Sequence, residues 1–109
     1  MYALVRLEQE YNDEYSIIQD GYKIVAASED LGRIEKRKLE EELLWLKGGV
    51  DDPYHFGEDA IFRFNEENEC SHGYDWEFRT DDTELAKKFL KEVGTVFEII
   101  NLKDKKYNV

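Results

Sequence analysis

The chain has 109 residues, 41% of them apolar and 14% aromatic, and its 26 acidic and 15 basic residues give a formal net charge of −11. That length suits one domain, and that apolar content supports a core, which excludes a disordered acidic tail. The charge excludes a surface built to hold nucleic acid or anionic lipid directly and favours a basic partner.

The charge is not spread evenly. Residues 51–84 hold twelve acidic and two basic residues, a net −10 in about a third of the chain. Basic clusters are small by comparison: Arg33, Lys36, Arg37 and Lys38, then Lys103, Lys105 and Lys106. The lone cysteine, Cys70, has no partner for an internal disulfide, which fits a reducing compartment. The N-terminus shows no charged leader followed by an apolar run, and no apolar stretch approaches the ~18 residues that would span a bilayer. The expectation is a cytoplasmic protein in a single domain, 1–109.

In chain order, Tyr2 to Glu8 alternates, with Ala3, Val5 and Leu7 on one side and Arg6 and Glu8 on the other, the period of a half-buried strand. Asn12-Asp13 offers turn chemistry. Tyr15–Gln19 and Tyr22–Ala27 flank Asp20-Gly21, a strong hairpin signal, so the opening reads as a three-stranded meander. Ser28 is placed to cap a helix running to about Lys47, with Leu39, Leu43 and Leu46 on its apolar stripe and Gly48-Gly49 as its stop. Its charges oppose the helix dipole, basic in the first half and acidic (Glu40, Glu41, Glu42) in the second. Base–acid pairs four residues apart partly compensate.

Val50–Asp59 reads as a loop around Pro53, and Ala60–Asn65 as a strand with Phe62 and Phe64 on one face. Glu66–Gly73 reads as a polar loop. Tyr74–Thr80 alternates, with Tyr74, Trp76 and Phe78 opposite Asp75, Glu77 and Arg79. Asp81 followed by Glu84 resembles a capping box, opening a helix whose buried stripe is Leu85, Phe89 and Val93, with Ala86 and Leu90. Gly94 terminates it, Thr95–Leu102 is a last strand and 103–109 a short basic tail. The predicted order is βββ-α-ββ-α-β, an α+β fold with a mainly antiparallel sheet and two helices on one face.

No pattern specifies a reaction. Cys70-Ser71-His72 with His55 falls short of a zinc set, and no calcium loop, Walker loop or dinucleotide fingerprint is present. Asp75-Trp76-Glu77-Phe78-Arg79 is loosely reminiscent of nuclease carboxylate motifs, but its last residue is Arg, a poor proton donor. A carboxylate enzyme is therefore the third reading. The expectation is a protein without catalytic, cofactor or metal-binding residues.

What remains is recognition through the acidic segment. Its strand aromatics read as core, which leaves the loops as contact surface. The candidate partner-binding residues are Asp51, Asp52, Tyr54, Phe56, Glu58 and Asp59 in the first loop, and Glu66, Glu67 and Glu69 in the second. In size, charge and lack of a catalytic motif the chain resembles small acidic proteins of phages and mobile elements that block CRISPR nucleases or restriction enzymes, some by mimicking DNA. The resemblance implies a non-enzymatic inhibitor that occupies the basic groove of a nucleic-acid-binding protein. It is similar in the same way to immunity proteins that neutralise a cognate toxin, the alternative reading.

Overall fold

The computed structural model describes residues 1–11, 17–50, 56, 59–70 and 77–102, with 9–11 and 17–20 described as backbone. Its elements are β1 (Tyr2–Tyr11), β2 (Ile17–Ser28), α1 (Leu31–Gly48), α2 (Ala60–Glu67), α3 (Thr83–Glu92) and β3 (Phe97–Asn101). One antiparallel sheet with three helices makes the class α+β, and the order among the described residues is ββ-α-α-α-β. The chain divides into two compact units, Met1–Glu40 with Val96–Val109, and Glu41–Thr95. The boundary falls inside α1.

The first unit holds the sheet, in the order β2-β1-β3 with β1 central and both pairings antiparallel. Ala3, Leu4 and Val5 are all buried. Consecutive burial means that both faces of the central strand are shielded from water at this level. Residues paired directly across strands share a face, so Leu4 lies in a row with Ala26 and Ile99. After that row the partner of β1 jumps from Ala26 to Ile24. Val25 is thus the extra residue of a bulge, which bends β2. On β3, Phe97 is buried, with the Arg6 guanidinium 5.6 Å from its ring centroid.

The predicted meander is corrected here. Ile17–Ser28 is one strand running straight through Asp20-Gly21, with Gly21 opposite Glu8. The other predicted turn, Asn12-Asp13, lies outside the described residues. Gly21 does not adopt a left-handed φ, so it takes part in a ladder that its dipeptide signal argues against. Pairing with the long central strand overrides local turn propensity.

The cap of α1 is also displaced from the expected residue. Asp30 Oδ1 accepts the N–H groups of Gly32 at 2.9 Å and Arg33 at 3.4 Å, while the Ser28 hydroxyl accepts the N–H of Asp30. Ser28 is still the last residue of β2, so the aspartate two residues beyond it takes the capping position. The helix ends as expected, with Gly49 at φ 101° and its N–H on the Trp45 carbonyl.

The second unit is built on an aromatic core. Ala60–Glu67 is a helix rather than a strand, burying Ile61, Phe64 and Asn65 and leaving Phe62 42% exposed. The spacing of three and four between those buried residues is helical, whereas the Phe62/Phe64 pair imitates a period of two. Ala, Arg and Glu in the segment add helix propensity. Of the predicted strand Tyr74–Thr80, the described part makes a single bridge, with Phe78 and Val50 exchanging backbone hydrogen bonds at 2.8 and 2.9 Å. Thr80 N–H adds a bond to the Leu46 carbonyl, and the buried Asn65 amide donates to the Glu77 carbonyl at 2.9 Å. These bonds pin residues 77–80 to the end of α1 and to α2.

α3 follows its predicted stripe, with Ala86 and Phe89 buried and Leu85, Leu90 and Val93 packed against the same core. Its cap is Asp82 rather than Asp81: the Asp82 carboxylate accepts from Glu84 N–H at 3.0 Å and Leu85 N–H at 3.4 Å. The Thr80 hydroxyl takes the Asp82 N–H and sets that register. Phe89, with no exposed surface, stacks on Phe78 at 4.3 Å and meets Phe64, Phe56 and Trp45 edge-on at 5.2, 6.0 and 6.4 Å.

Two substitutions test this account. Phe89→Ala removes the ring common to those contacts and is expected to cost about 3–5 kcal/mol, read as a lower urea midpoint with loss of near-UV aromatic dichroism. Gly21→Val places a β-branched side chain where a Cβ meets nothing within 4 Å. It is expected to stabilise the sheet by about 0.5–1 kcal/mol, whereas the same change in a hairpin turn would destabilise it.

Candidate functional site

The second unit contains fifteen acidic and six basic residues, a net −9, against eleven and nine, a net −2, in the first. Most of the charge therefore belongs to one compact body. Eight of its eleven described carboxylates, Asp59, Glu66, Glu67, Glu69, Asp81, Asp82, Glu84 and Glu92, are exposed, while Glu41 and Glu77 are half-buried and Glu42 is buried.

Of the candidate contact residues, the structure describes Phe56, Asp59, Glu66, Glu67 and Glu69. Asp51, Asp52, Tyr54 and Glu58 lie outside the described residues. Phe56 packs against the core. It is half-buried, 5.9 Å from Trp45 and 6.0 Å from Phe89. Gly94, at φ 144°, allows this packing: a Cβ there would stand 3.2 Å from the Phe56 ring.

The four described acids bracket α2. Asp59 precedes it in the left-handed region, φ 64°, without a side-chain capping bond. Glu66 and Glu67, expected in a loop, occupy its last turn instead. That turn contains no basic residue, so both carboxylates face the negative end of the helix dipole. Each such placement costs about 0.3–1 kcal/mol.

Glu69 sits in a Schellman turn. The Cys70 N–H reaches back to the Asn65 carbonyl at 2.8 Å and the Glu69 N–H to the Glu66 carbonyl at 3.4 Å. In that motif the residue at the Glu69 position adopts a left-handed φ, here 55°, and is usually glycine. The turn is braced by Asn68, whose amide donates to the Phe64 carbonyl at 2.8 Å and whose Oδ1 accepts from Lys88 Nζ at 2.6 Å. Cys70 follows, half-buried against the core. Burial pushes its thiol pKa up, partly opposed by the Lys88 ammonium, so the thiolate is disfavoured as a nucleophile.

Glu67 shares a surface with residues that the strand assignment hid. Arg63, four residues earlier on α2, and Glu92, at the end of α3, line a common cavity with it, alongside Phe56, Phe64 and Val93. The Arg63/Glu67 spacing is the sequence signal that a helical reading of 60–67 would have used.

Among the described residues no group of three or more His, Cys, Asp or Glu is placed to hold a metal ion, and no helix is long and apolar enough to cross a membrane. His55 and His72 lie outside the described residues. Comparisons with protein-family models, with curated proteins and with solved structures return no match.

Glu69→Gly is expected to stabilise the protein by about 0.5–1 kcal/mol, by relieving the left-handed backbone and removing a charge near a helix C-terminus. The midpoint of urea unfolding checks this. A fall in that midpoint would mean that the Glu69 side chain contributes a contact outweighing the strain.

Proposed function

We propose that the chain is a non-enzymatic binding protein of the cytoplasm, which presents the acidic unit to the basic groove of a nucleic-acid-binding protein such as a CRISPR or restriction nuclease, and inhibits it. The observation that carries this reading is the placement of charge around α2. Acids kept for solubility could stand anywhere on the surface. Glu66, Glu67 and Glu69 stand instead where the helix dipole and the left-handed backbone disfavour them. A partner that neutralises them would offset that local cost on binding. The concentration of −9 in one unit supports the same reading, because a dense field steers basic partners and speeds encounter.

Immobilised chain should retain nucleic-acid-binding proteins from a host lysate, release them along a salt gradient, and yield them to added duplex nucleic acid. Glu66→Gln with Glu67→Gln and Glu69→Gln should lower the eluting salt and weaken inhibition of the retained nuclease by about tenfold. Identical elution from the native and the substituted chain would overturn the proposal.

A further inference from the structure

Residues of α2 and α3, together with Phe56, line a cavity of about 330 Å3 in the acidic unit. That is the lower end of the range, roughly 300–1,000 Å3, typical of ligand pockets. Its lining is more polar than apolar: Phe56, Phe64 and Val93 contribute the smaller apolar part, and the ionisable groups Arg63, Glu67 and Glu92 are exposed. An anion would meet two carboxylates in a unit of net −9. A neutral apolar ligand would leave the charged groups unused. The complement of a mostly polar lining with two carboxylates to one arginine and a smaller apolar part is a cation on an apolar stem.

We infer that this cavity takes one arginine side chain of the basic partner, an inference that rests on the reading above and assigns its anchor. The aliphatic stem lies along Val93 and the Phe56 ring, and the guanidinium meets Glu67 and Glu92. Arginine suits the site better than lysine because its planar fork can engage two carboxylates while its face stacks on an aromatic ring. A buried arginine anchor is also a common source of interface affinity.

The two nearby cations are compatible with this occupant. Lys88 Nζ lies 3.9 Å from Glu92 across an exposed pair, a weak contact. It keeps the Asn68 Oδ1 bond at 2.6 Å when Glu92 turns to the ligand. Arg63 is a donor suited to the main-chain carbonyl of the incoming arginine.

The test is a titration of isotope-labelled full chain with N-acetyl-arginine methylamide, followed by amide chemical shifts. The expected result is shifts concentrated in 60–67 and 89–94, with binding weakened at least about fivefold by Glu67→Gln with Glu92→Gln. N-acetyl-lysine methylamide should bind more weakly than the arginine probe. Asp81→Asn with Glu84→Gln removes the same charge away from the cavity and should leave the probe affinity nearly unchanged. Shifts scattered over all acidic residues, or equal losses in both double variants, would overturn the pocket while leaving the proposed function standing. Focused arginine binding without any retained basic protein would sustain the pocket and sink that function.

Discussion

The Phe89 ring is the constraint on which the acidic unit depends. Four other aromatic rings meet it, one stacked and three edge-on, and they come from α1, α2, the 77–80 segment and the chain at Phe56. Each aromatic pair adds about 0.5–1.5 kcal/mol beyond the area it buries. The gain is large on the scale of the ~5–15 kcal/mol that separates a folded domain from its unfolded chain. The same rings let the unit tolerate its charge. A compact apolar centre holds the backbone while most of the described carboxylates stay in water, where repulsion is screened within about 8–10 Å at ordinary salt.

Around that centre, polar groups fix orientation rather than supply bulk stability. Asn65 ties α2 to the carbonyl of Glu77, Asp82 caps α3, and Lys88 reaches the turn after α2 through Asn68. The consequence is that the last turn of α2, Glu66 to Glu69, is set on a braced scaffold. Strain there is not a sign of looseness. A left-handed Glu69 inside a fully hydrogen-bonded Schellman turn presents its carboxylate from a defined position, and a defined position is what recognition needs.

The elements legible in the sequence were those with redundant signals. α3 had a capping acid, a five-residue apolar stripe and a terminal glycine, and only the capping residue moved, by one position. β3 and the extent of α1 were legible for the same reason. Where one short signal stood alone, it misled. Asp20-Gly21 looks like a turn because local propensity is blind to the length of the strand opposite it. Ala60–Asn65 looks like a strand because six residues, three of them large and apolar, fit a period of two nearly as well as one of 3.6. The strand reading also hides a juxtaposition: with 60–65 as a strand, Arg63 and Glu67 fall on unrelated elements and Glu92 is only a helix charge. Phe56 neighbours Pro53 in a polar stretch, where its sequence surroundings point to a loop surface. Its burial depends on Gly94 and Phe89, more than thirty residues away, and no local pattern carries that information.

Charge alone would make a poor inhibitor, because a screened field attracts every basic protein to a similar degree. Selectivity requires shape at the point of contact, as specificity is a difference between affinities. Within the acidic unit the described residues provide one place where shape and charge coincide. Glu67 belongs both to the exposed acidic turn and to the lining of a cavity that Phe56 and Val93 also line. The helix that the sequence disguised as a strand creates this coincidence, since only helical spacing brings Arg63 and Glu67 to one face beside Phe64. On the proposed reading, long-range attraction by the unit and short-range discrimination by the cavity act through the same few residues, and an arginine-bearing groove would be distinguished from a surface that is merely positive.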